Sequence, residues 1–469
     1  MTSSFVYGLV LVLVVATLCT VTLIKTFSVR TRDDFLVAGR KLPWPVLVFT
    51  LLSSWIGAGS LFAGAEKAYN EGFTALWLAG GGWCGLVVIA AIAGRARRFA
   101  QFTVPDLLET RYNAAARVMA TIAIVISYTV ITSYQFKAGG DVLHLIFPNL
   151  DPTTGMYIVA AFVIVFTAAA GMASIAYLDV VIGGLVTAIV MIAVPMLLDR
   201  AGGWSGVHAA LPASHFTVLG TGGLAKAAGT LLPTMLLLIG NQGMYQKFFS
   251  ARSERDARIA VGGWIVGTVI LETLLVMLAV IGSAMFKTTA PREIIPLTAR
   301  EGLPTWIGAI LMGGIFAKVV STANNYLFSP ATNLMHDVYE RFIRPEATER
   351  QSLIVSRAIV VALGIFALLQ ATQFQSILNA ALYAYTVYGA AVTPAVMAVF
   401  FWKRTTTAGA VVSIAVGATV TVVWNALGLN SDLGVYPALA ASLLCLILVS
   451  LLTPAPELSK VKPFFEKTT

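Results

Sequence analysis

The chain has 469 residues, of which 58% are hydrophobic and only 11% are charged, and its mean hydropathy is +0.84. Soluble domains carry roughly 25% charged residues, so the polar surface here is too scarce to cover a water-exposed globule. The composition therefore excludes a soluble protein. It indicates an all-α integral membrane protein, because membrane-spanning strands would read as short alternating segments.

Apolar runs long enough to span a bilayer, about 20 residues each, recur along the chain. We predict 13 transmembrane helices, at residues 5–25, 44–70, 74–94, 116–146, 156–172, 176–198, 224–247, 259–286, 304–335, 353–371, 375–401, 408–428 and 434–453. The first run has no basic segment before it and no small-residue cleavage motif after it. We therefore interpret it as a retained helix and not as a signal peptide.

The basic residues are concentrated in alternate loops and are not spread along the chain. Most of the 31 lysines and arginines fall within 25–41, 95–117, 247–258, 341–357, 403–404 and 460–467. Basic loops face the cytoplasm, so we expect a protein of the bacterial inner (plasma) membrane with its N-terminus outside and its C-terminus in the cytoplasm. The same bias accounts for the net charge of +9 without a nucleic-acid partner, and membrane lipid is the expected surrounding.

The second and seventh predicted spans are interrupted by glycine, serine or proline. The second contains LLSSWIGAGSLFAG (51–64), and the seventh contains Pro233, Gly240 and Gly243. The starts of these two spans are five spans apart. Broken helices in corresponding places of two halves are typical of secondary transporters with inverted repeats. The alternative is that the glycines only permit close helix packing.

A polar stripe runs along the ninth predicted span. At 100° per residue, one helix face carries Lys318, Ser321, Thr322, Asn325 and Ser329. A lysine at membrane depth costs ~2.5–3.5 kcal/mol on insertion scales. We therefore expect this lysine to have a partner or to face a water-filled path.

Further charges within the predicted spans have two interpretations each. Glu66 either gates the outer mouth or lies at a solvated helix end. Lys137 pairs either with a substrate carboxylate or with Asp141, four residues on. Glu272 is a functional-site candidate as an isolated membrane acid, although the helical spacing of Trp264 and Thr268 favours an ordinary buried contact.

Four stretches in the right order resemble the sodium/solute symporter family, which includes the sodium/galactose and sodium/proline transporters. They are TRDDFLVAGRKLPW (31–44), GMASIAYLDVVIGG (171–184), NQGMYQKFFSARS (241–253) and AKVVSTANNYLFSPATNLMHDVY (317–339). Leu178 stands where the family pattern has threonine, and Lys247 stands where it has arginine.

The resemblance implies a five-plus-five inverted repeat of the leucine-transporter type. We expect a leading transmembrane helix and cytoplasmic loop in residues 1–43, the first repeat in 44–200 and the second in 201–401. Two C-terminal helices and a short cytoplasmic tail occupy 402–469.

The resemblance also implies a sodium site between the first and eighth core helices. Its ligands would be the carbonyls of Ser53, Ile56 and Lys318 with the hydroxyls of Ser321 and Thr322. Oxygen ligands suit a small hard cation. The family pattern has a small residue where this chain has Lys318. We hypothesise that its ammonium occupies or borders the sodium position and that Asp179 balances its charge. Transport is then sodium-independent or proton-coupled; alternatively, the lysine points elsewhere and sodium still binds.

The substrate site is expected at the midplane between the two broken helices. Its candidates are hydrogen-bonding and aromatic groups suited to a small polar solute: Trp55, Gly57, Ser60, Glu66, Gln135, Lys137, Asn241, Gln242 and Tyr245. We predict a cation-coupled secondary transporter, with Na⁺ or H⁺ as coupling ion and no cofactor or transition metal. The alternative is a solute-sensing membrane receptor. No catalytic or nucleotide-binding motif indicates an enzyme.

Overall fold

The computed structural model describes residues 3–26, 32–99, 101–169 and 172–465. Residues 31 and 171, at which two of the family-like stretches begin, lie outside this range. So do residues 27–30 and 466–469, which hold some of the basic residues in the predicted charge bias. Regular structure in the described residues is helical, apart from one isolated bridge between Leu42 and Ala251.

The first half of the described chain contains ten helices. They are α1 Ser3–Thr26, α2 Arg32–Val37, α3 Trp44–Trp55, α4 Gly64–Glu71, α5 Leu76–Phe99, α6 Val104–Arg111, α7 Ala114–Ile146, α8 Pro152–Ala169, α9 Met172–Arg200 and α10 Gly203–Ala210. A π-helical turn, Gly59–Ala63, precedes α4.

The second half of the described chain contains ten more. They are α11 Gly223–Gly240, α12 Gln242–Ser250, α13 Glu254–Met285, α14 Ile294–Gly302, α15 Thr305–Asn333, α16 Glu349–Ala371, α17 Ile377–Phe401, α18 Thr407–Ala426, α19 Val435–Leu452 and α20 Leu458–Phe465. The predicted all-helical membrane architecture is confirmed.

Twelve helical stretches of the described residues are long and apolar enough to cross a membrane. The sequence predicted 13, and the difference lies in the second predicted span, 44–70. The chain leaves the helix after Trp55, so α3 is an apolar helix of only 12 residues. The part after the break continues through α4 into α5, and residues 59–97 form one helical stretch.

The centre of the bundle is formed by α15 and α17. In the most apolar stretch of α15, 83% of the residues are buried, and in that of α17, 89% are buried. The corresponding share is 28% in both α1 and α19. Helix α15 packs against α7, α9, α1 and α3, and α17 packs against α11 and α7. The polar stripe of α15 is therefore enclosed by protein, which is where polar groups are tolerated at membrane depth.

Candidate functional site

The first broken helix is interrupted between Trp55 and Gly59. Ile56 is extended (φ −88°, ψ 106°), so the chain leaves the helical path there. Gly57 lies against α15: a Cβ atom on it would be 2.5 Å from Thr322 Oγ1. The amide freed at Ala58 donates to Gln135 Oε1 on α7 at 3.0 Å. The break thus brings backbone polar groups to α7 and α15, where they are satisfied.

The second broken helix is interrupted at Asn241, between α11 and α12. The Asn241 side chain accepts from the Met244 amide at 3.2 Å and so caps α12, while its Nδ2 donates to the Tyr326 hydroxyl at 3.2 Å. The Gln242 amide donates to the Tyr388 hydroxyl at 3.1 Å. Tyr388 in turn donates to the Gly240 carbonyl. Both predicted interruptions are therefore present.

Lys318 lies at the first break, completely buried in the middle of α15. Its Nζ donates to Ser53 Oγ, 2.9 Å away, near the end of α3. The Thr322 hydroxyl, one turn further along α15, donates to the Ile56 carbonyl at 3.3 Å. The structure thus brings together the groups predicted for the cation site, and the lysine amine lies beside them.

Asp179 on α9 collects hydroxyl donors from the same two helices. Its Oδ2 accepts from Thr50 at 2.6 Å and from Ser54 at 3.2 Å, and its Oδ1 accepts from Ser321. It is completely buried and forms no direct ion pair with any described residue. The charge of Lys318 acts on this carboxylate across the hydroxyl groups.

A second buried lysine, Lys247 on α12, acts on the same carboxylate. Its Nζ donates to Asn325 Oδ1 at 2.6 Å, and Asn325 Nδ2 donates to the Ser321 carbonyl at 2.9 Å. The sequence singled out Lys247 only as a replacement for arginine. The structure adds it to the cation cluster, defined here as Lys318, Lys247, Asp179, Ser53, Ser321 and Thr322.

A small cavity of about 30 Å³ lies beside the first break. Two predicted substrate residues, Trp55 and Ser60, line it together with Glu272, Thr234 and Tyr385. Its remaining walls are mostly small or aliphatic, at Gly59, Gly64, Ala75, Leu78, Ala79, Leu275 and Val276. A few polar groups on a mostly apolar wall are typical of a ligand pocket, and this volume holds about two water molecules.

Glu272 accepts three hydrogen bonds in this cavity. The Trp55 indole and the Ser60 hydroxyl donate to Oε1 at 3.0 and 3.2 Å, and the Trp83 indole donates to Oε2 at 3.0 Å. Trp264 and Thr268, the residues of the blander interpretation, lie on α13 itself and form no hydrogen bond with Glu272. Their side-chain polar atoms are buried without a hydrogen-bond partner among the described residues.

Several other predicted substrate residues have structural partners instead. The Gln242 Oε1 accepts from the Val104 amide at 2.5 Å, and Tyr245 is enclosed by aromatic rings with its hydroxyl unpartnered. Glu66 accepts from the Ser376 hydroxyl at 2.9 Å and from the Leu378 amide at 3.4 Å. Helix N-termini elsewhere in the fold supply the partners of Gln242 and Glu66, and sequence spacing cannot show them.

Lys137 does not pair with Asp141, one of its two expected partners. Its Nζ donates to the carbonyls of Phe374 and Gln375 at 2.7 and 3.0 Å. Asp141 is instead paired with Arg292, at 2.7 Å. The loop before α17 and the turn before α14 lie nearer to the two charges than the charges lie to each other, and the alternative of a substrate carboxylate stays a prediction.

The sequence did not single out three residues of this site. The cavity is lined by Thr234 and Tyr385, and the Trp83 indole donates to Glu272. Trp83 lies in an apolar run like any membrane tryptophan, and nothing in its spacing marks it. Tyr385 bonds to the Tyr134 hydroxyl at 3.2 Å, and a Cβ atom on Gly59 would collide with its hydroxyl. Only the packing of α17 against the first break brings it to the cavity.

A helical membrane bundle with two interrupted helices beside a small cavity and a buried cation cluster defines a secondary transporter of the leucine-transporter type. The model of the sodium:solute symporter family matches residues 35–417, and the chain belongs to this family. The resemblance seen in the four sequence motifs is confirmed.

Relatives cover nearly the whole chain. The chain is 23% identical over 456 residues to the osmoregulated proline transporter OpuE of Bacillus subtilis, which covers 92% of each chain. It is 26% identical over 452 residues to the high-affinity proline transporter PutP of the same organism, covering 90% of this chain and 93% of the relative. The Escherichia coli sodium/proline symporter is 24% identical over 467 residues, covering 94% and 91%.

Solved structures show the same fold. A Na⁺-coupled sialic acid symporter in a substrate-bound outward-open state matches with a TM-score of 0.83 at 17% identity, covering 97% of this chain and 99% of that one. MhsT in complex with L-phenylalanine matches with a TM-score of 0.56 at 14% identity, covering 86% and 97%. The expected leucine-transporter-type fold is confirmed.

Proposed function

We propose that the chain is a secondary active transporter that takes up a small polar organic solute by alternating access. The cavity between the first broken helix, α5, α13 and α17 supports this proposal, because it lies at a helix interruption and holds a few polar groups on an otherwise apolar wall. L-Proline is the first solute to test, since three relatives are named as proline transporters.

We further propose that the Lys318 ammonium takes the place of the coupling sodium ion. The observation that carries this proposal is the 2.9 Å hydrogen bond from Lys318 Nζ to Ser53 Oγ, within the group of residues expected to bind the ion. The amine can link α3 to α15 through hydrogen bonds, as an ion would through coordination. A sodium ion beside it would be repelled strongly in this buried environment.

The consequence for coupling is that uptake does not require Na⁺ at this site. A lysine amine can release and regain a proton. The hydroxyl and carbonyl oxygens of a sodium site do not exchange a proton in this way. We therefore propose the proton as the coupling ion. Asp179 supports this role because it accepts hydrogen bonds from Thr50, Ser54 and Ser321, which lie on the two helices that the amine joins.

The test is solute uptake into proteoliposomes under separately imposed gradients. We expect L-proline uptake to respond to an inward proton gradient and to be unchanged when an inward Na⁺ gradient replaces a K⁺ gradient. Strict dependence on Na⁺ would contradict the lysine proposal and would leave the transport proposal intact.

Lys318→Ala is the informative variant, because it restores the small residue of the family pattern. We expect it to abolish the proton response and to introduce a response to Na⁺. Lys226→Ala is the matched control, since it removes a lysine outside the cation cluster, one that pairs with Glu71, and it should leave the ion response unchanged.

The division into repeats and the orientation complete the proposal. The interruptions at Ile56 and Asn241 support a first repeat at 44–200 and a second at 201–401. The alternation of basic loops supports an external N-terminus and a cytoplasmic C-terminus in the plasma membrane. Thiol labelling of single cysteines placed in the 344–348 connection before α16, from either side of sealed vesicles, tests the orientation.

A further inference from the structure

The Glu272 carboxyl group accepts hydrogen bonds from two indole groups, of Trp55 and Trp83, which are donors only. The Ser60 hydroxyl can donate to an ionised Glu272 or accept from a neutral one, so this set of partners fits either form. No lysine, arginine or histidine among the described residues forms an ion pair with it.

An ionised carboxylate this deep in the membrane is costly unless a positive charge is near. Glu272 is 4% exposed, and it lies on the wall of the cavity. The lysines of the cation cluster act on Asp179 and do not bond to Glu272. Either a proton or a cationic molecule in the cavity can therefore compensate its charge, and a bound cation would stabilise the ionised form.

The aromatic walls of the cavity are suited to the same group. Trp55 and Tyr385 both line it, and aromatic faces attract cationic nitrogen. The Ser60 and Thr234 hydroxyls give the remaining polar contacts. The apolar residues Leu275 and Val276 suit a compact hydrocarbon frame. The residues thus divide into one anionic contact, aromatic faces and a small apolar wall.

We infer that Glu272 is the recognition site for a positively charged nitrogen, and that the transported solute is a small ammonium compound. This inference rests on the proposed transport function and names its substrate class. The nitrogen would lie beside Glu272 and against the Trp55 and Tyr385 rings. Sugars, neutral nucleobases, urea and simple monocarboxylates lack the charge that this contact requires.

The test is equilibrium binding to the purified full-length protein in detergent, without any ion gradient. The probes are pairs that share a shape and differ in charge: choline with 3,3-dimethylbutanol, pyrrolidine with cyclopentanol, and L-proline with cyclopentanecarboxylate. Ligands that bind the folded protein raise its apparent unfolding temperature. We expect stabilisation by at least one probe with a charged nitrogen and none by its partner, which has carbon in place of that nitrogen.

Equal stabilisation by both members of every pair, or by no charged member at millimolar concentration, would overturn the inference. These wild-type measurements do not depend on the folding of any variant. Because they need no transport, they also separate failure of this inference from failure of the proposed function. A protein that binds an ammonium probe but does not carry it across a membrane would contradict only the latter.

Glu272→Gln tests the residue itself and nearly preserves its shape. We expect about 30-fold weaker binding of the charged probe, because one partner of a buried charge pair is removed. The matched control is Glu301→Gln, which makes the same change at a half-exposed carboxylate paired with Arg300. Unchanged affinity in Glu272→Gln, with the charged probe still preferred, would show that another group recognises the nitrogen.

Discussion

Ser376 donates a hydrogen bond to Glu66 at 2.9 Å, and so joins the N-terminus of α17 to α4, beyond the first break. The same carboxylate accepts from the Leu378 amide at 3.4 Å. Lys137 on α7 holds the preceding loop through the carbonyls of Phe374 and Gln375. Three core helices therefore meet at one short segment, residues 374–378. Two of them, α4 and α17, also contribute Gly64 and Tyr385 to the cavity.

The contact between Ser376 and Glu66 predicts control of access to the cavity. Ser376→Ala removes a hydrogen bond of about 1 kcal/mol, which corresponds to roughly fivefold in an opening equilibrium. The reporter is Ser60→Cys in a background lacking Cys19, Cys84 and Cys445, which are free thiols. We expect a hydrophilic thiol reagent to label this reporter about fivefold faster in the Ser376→Ala protein.

Ser376 also caps α17, so its loss has a second effect that needs a control. Thr348→Ala removes the cap of α16 without touching Glu66. We expect no change in labelling for this variant. Equal acceleration in both variants would show that cap loss and general loosening, not the Glu66 contact, govern access.

Asp179 predicts strong coupling between the charges of the cation cluster. Asp179→Asn leaves Lys318 and Lys247 without their buried counter-charge and is expected to destabilise the protein by about 3–5 kcal/mol. Lys318→Met is expected to leave the carboxylate less compensated. The Asp179→Asn/Lys318→Met double variant should lose less stability than the sum of the two single changes, because it removes opposite charges together.

Thermal unfolding of the four proteins in detergent measures this coupling. The matched control cycle combines Asp179→Asn with Arg252→Met, since Arg252 is exposed and pairs with Asp256. Additive changes in both cycles would mean that Lys318 and Asp179 do not interact through the hydroxyl groups between them.

Gly57 predicts that the break tolerates no side chain. A Cβ atom there would lie 2.5–2.7 Å from three atoms of Thr322. We expect Gly57→Ala to displace the first break from α15 and to reduce probe binding and uptake by at least about tenfold. The Thr322 contact with Ile56 would be lost at the same time. Gly80→Ala is the control, because nothing lies within 4 Å of the added atom.

The reduced binding is measured with an ammonium probe on the purified protein, and the reduced uptake is measured in proteoliposomes. If Gly57→Ala retains both while Gly80→Ala is also unaffected, the close approach of the break to α15 is not needed for function. Gly80 is helical and Gly57 lies in the break, so Gly80→Ala also gains about 1 kcal/mol of helix propensity. A loss of function in Gly57→Ala alone would therefore be attributed to the lack of space beside Thr322.

Glu293 predicts a pH dependence of stability outside the membrane-spanning segments. Burial and the nearby charge of Asp141 raise the pKa of Glu293 to about 7, against the opposing effect of Arg292. Between its ordinary pKa of 4.5 and about 7, the unfolded chain is ionised and the folded chain retains the proton. Stability therefore falls as pH rises through this window and becomes independent of Glu293 above it.

Unfolding temperatures measured from about pH 5 to about pH 8 check this sign. We expect Glu293→Gln to flatten the fall in this window, because the replacement side chain does not titrate. Glu301→Gln, which removes a half-exposed carboxylate, should retain the wild-type slope. A slope that is identical in all three proteins would contradict the assignment to Glu293.

Composition and hydrophobic periodicity were enough to predict a helical membrane bundle, and glycine and proline marked the two interruptions. Those features act locally: apolar length sets a span, and a glycine beside polar residues leaves the helical path. The stripe of α15 was also local, since 100° per residue places Lys318, Ser321 and Thr322 on one face.

The partners of the membrane charges were decided by tertiary structure. Lys137 and Asp141 are four residues apart, yet they bind the loop before α17 and Arg292 respectively. Glu272 meets indoles from α3 and α5 and not the residues of its own helix. A buried charge is stabilised by whichever donors the packed helices bring within about 3 Å, and sequence spacing carries that information only within one helix.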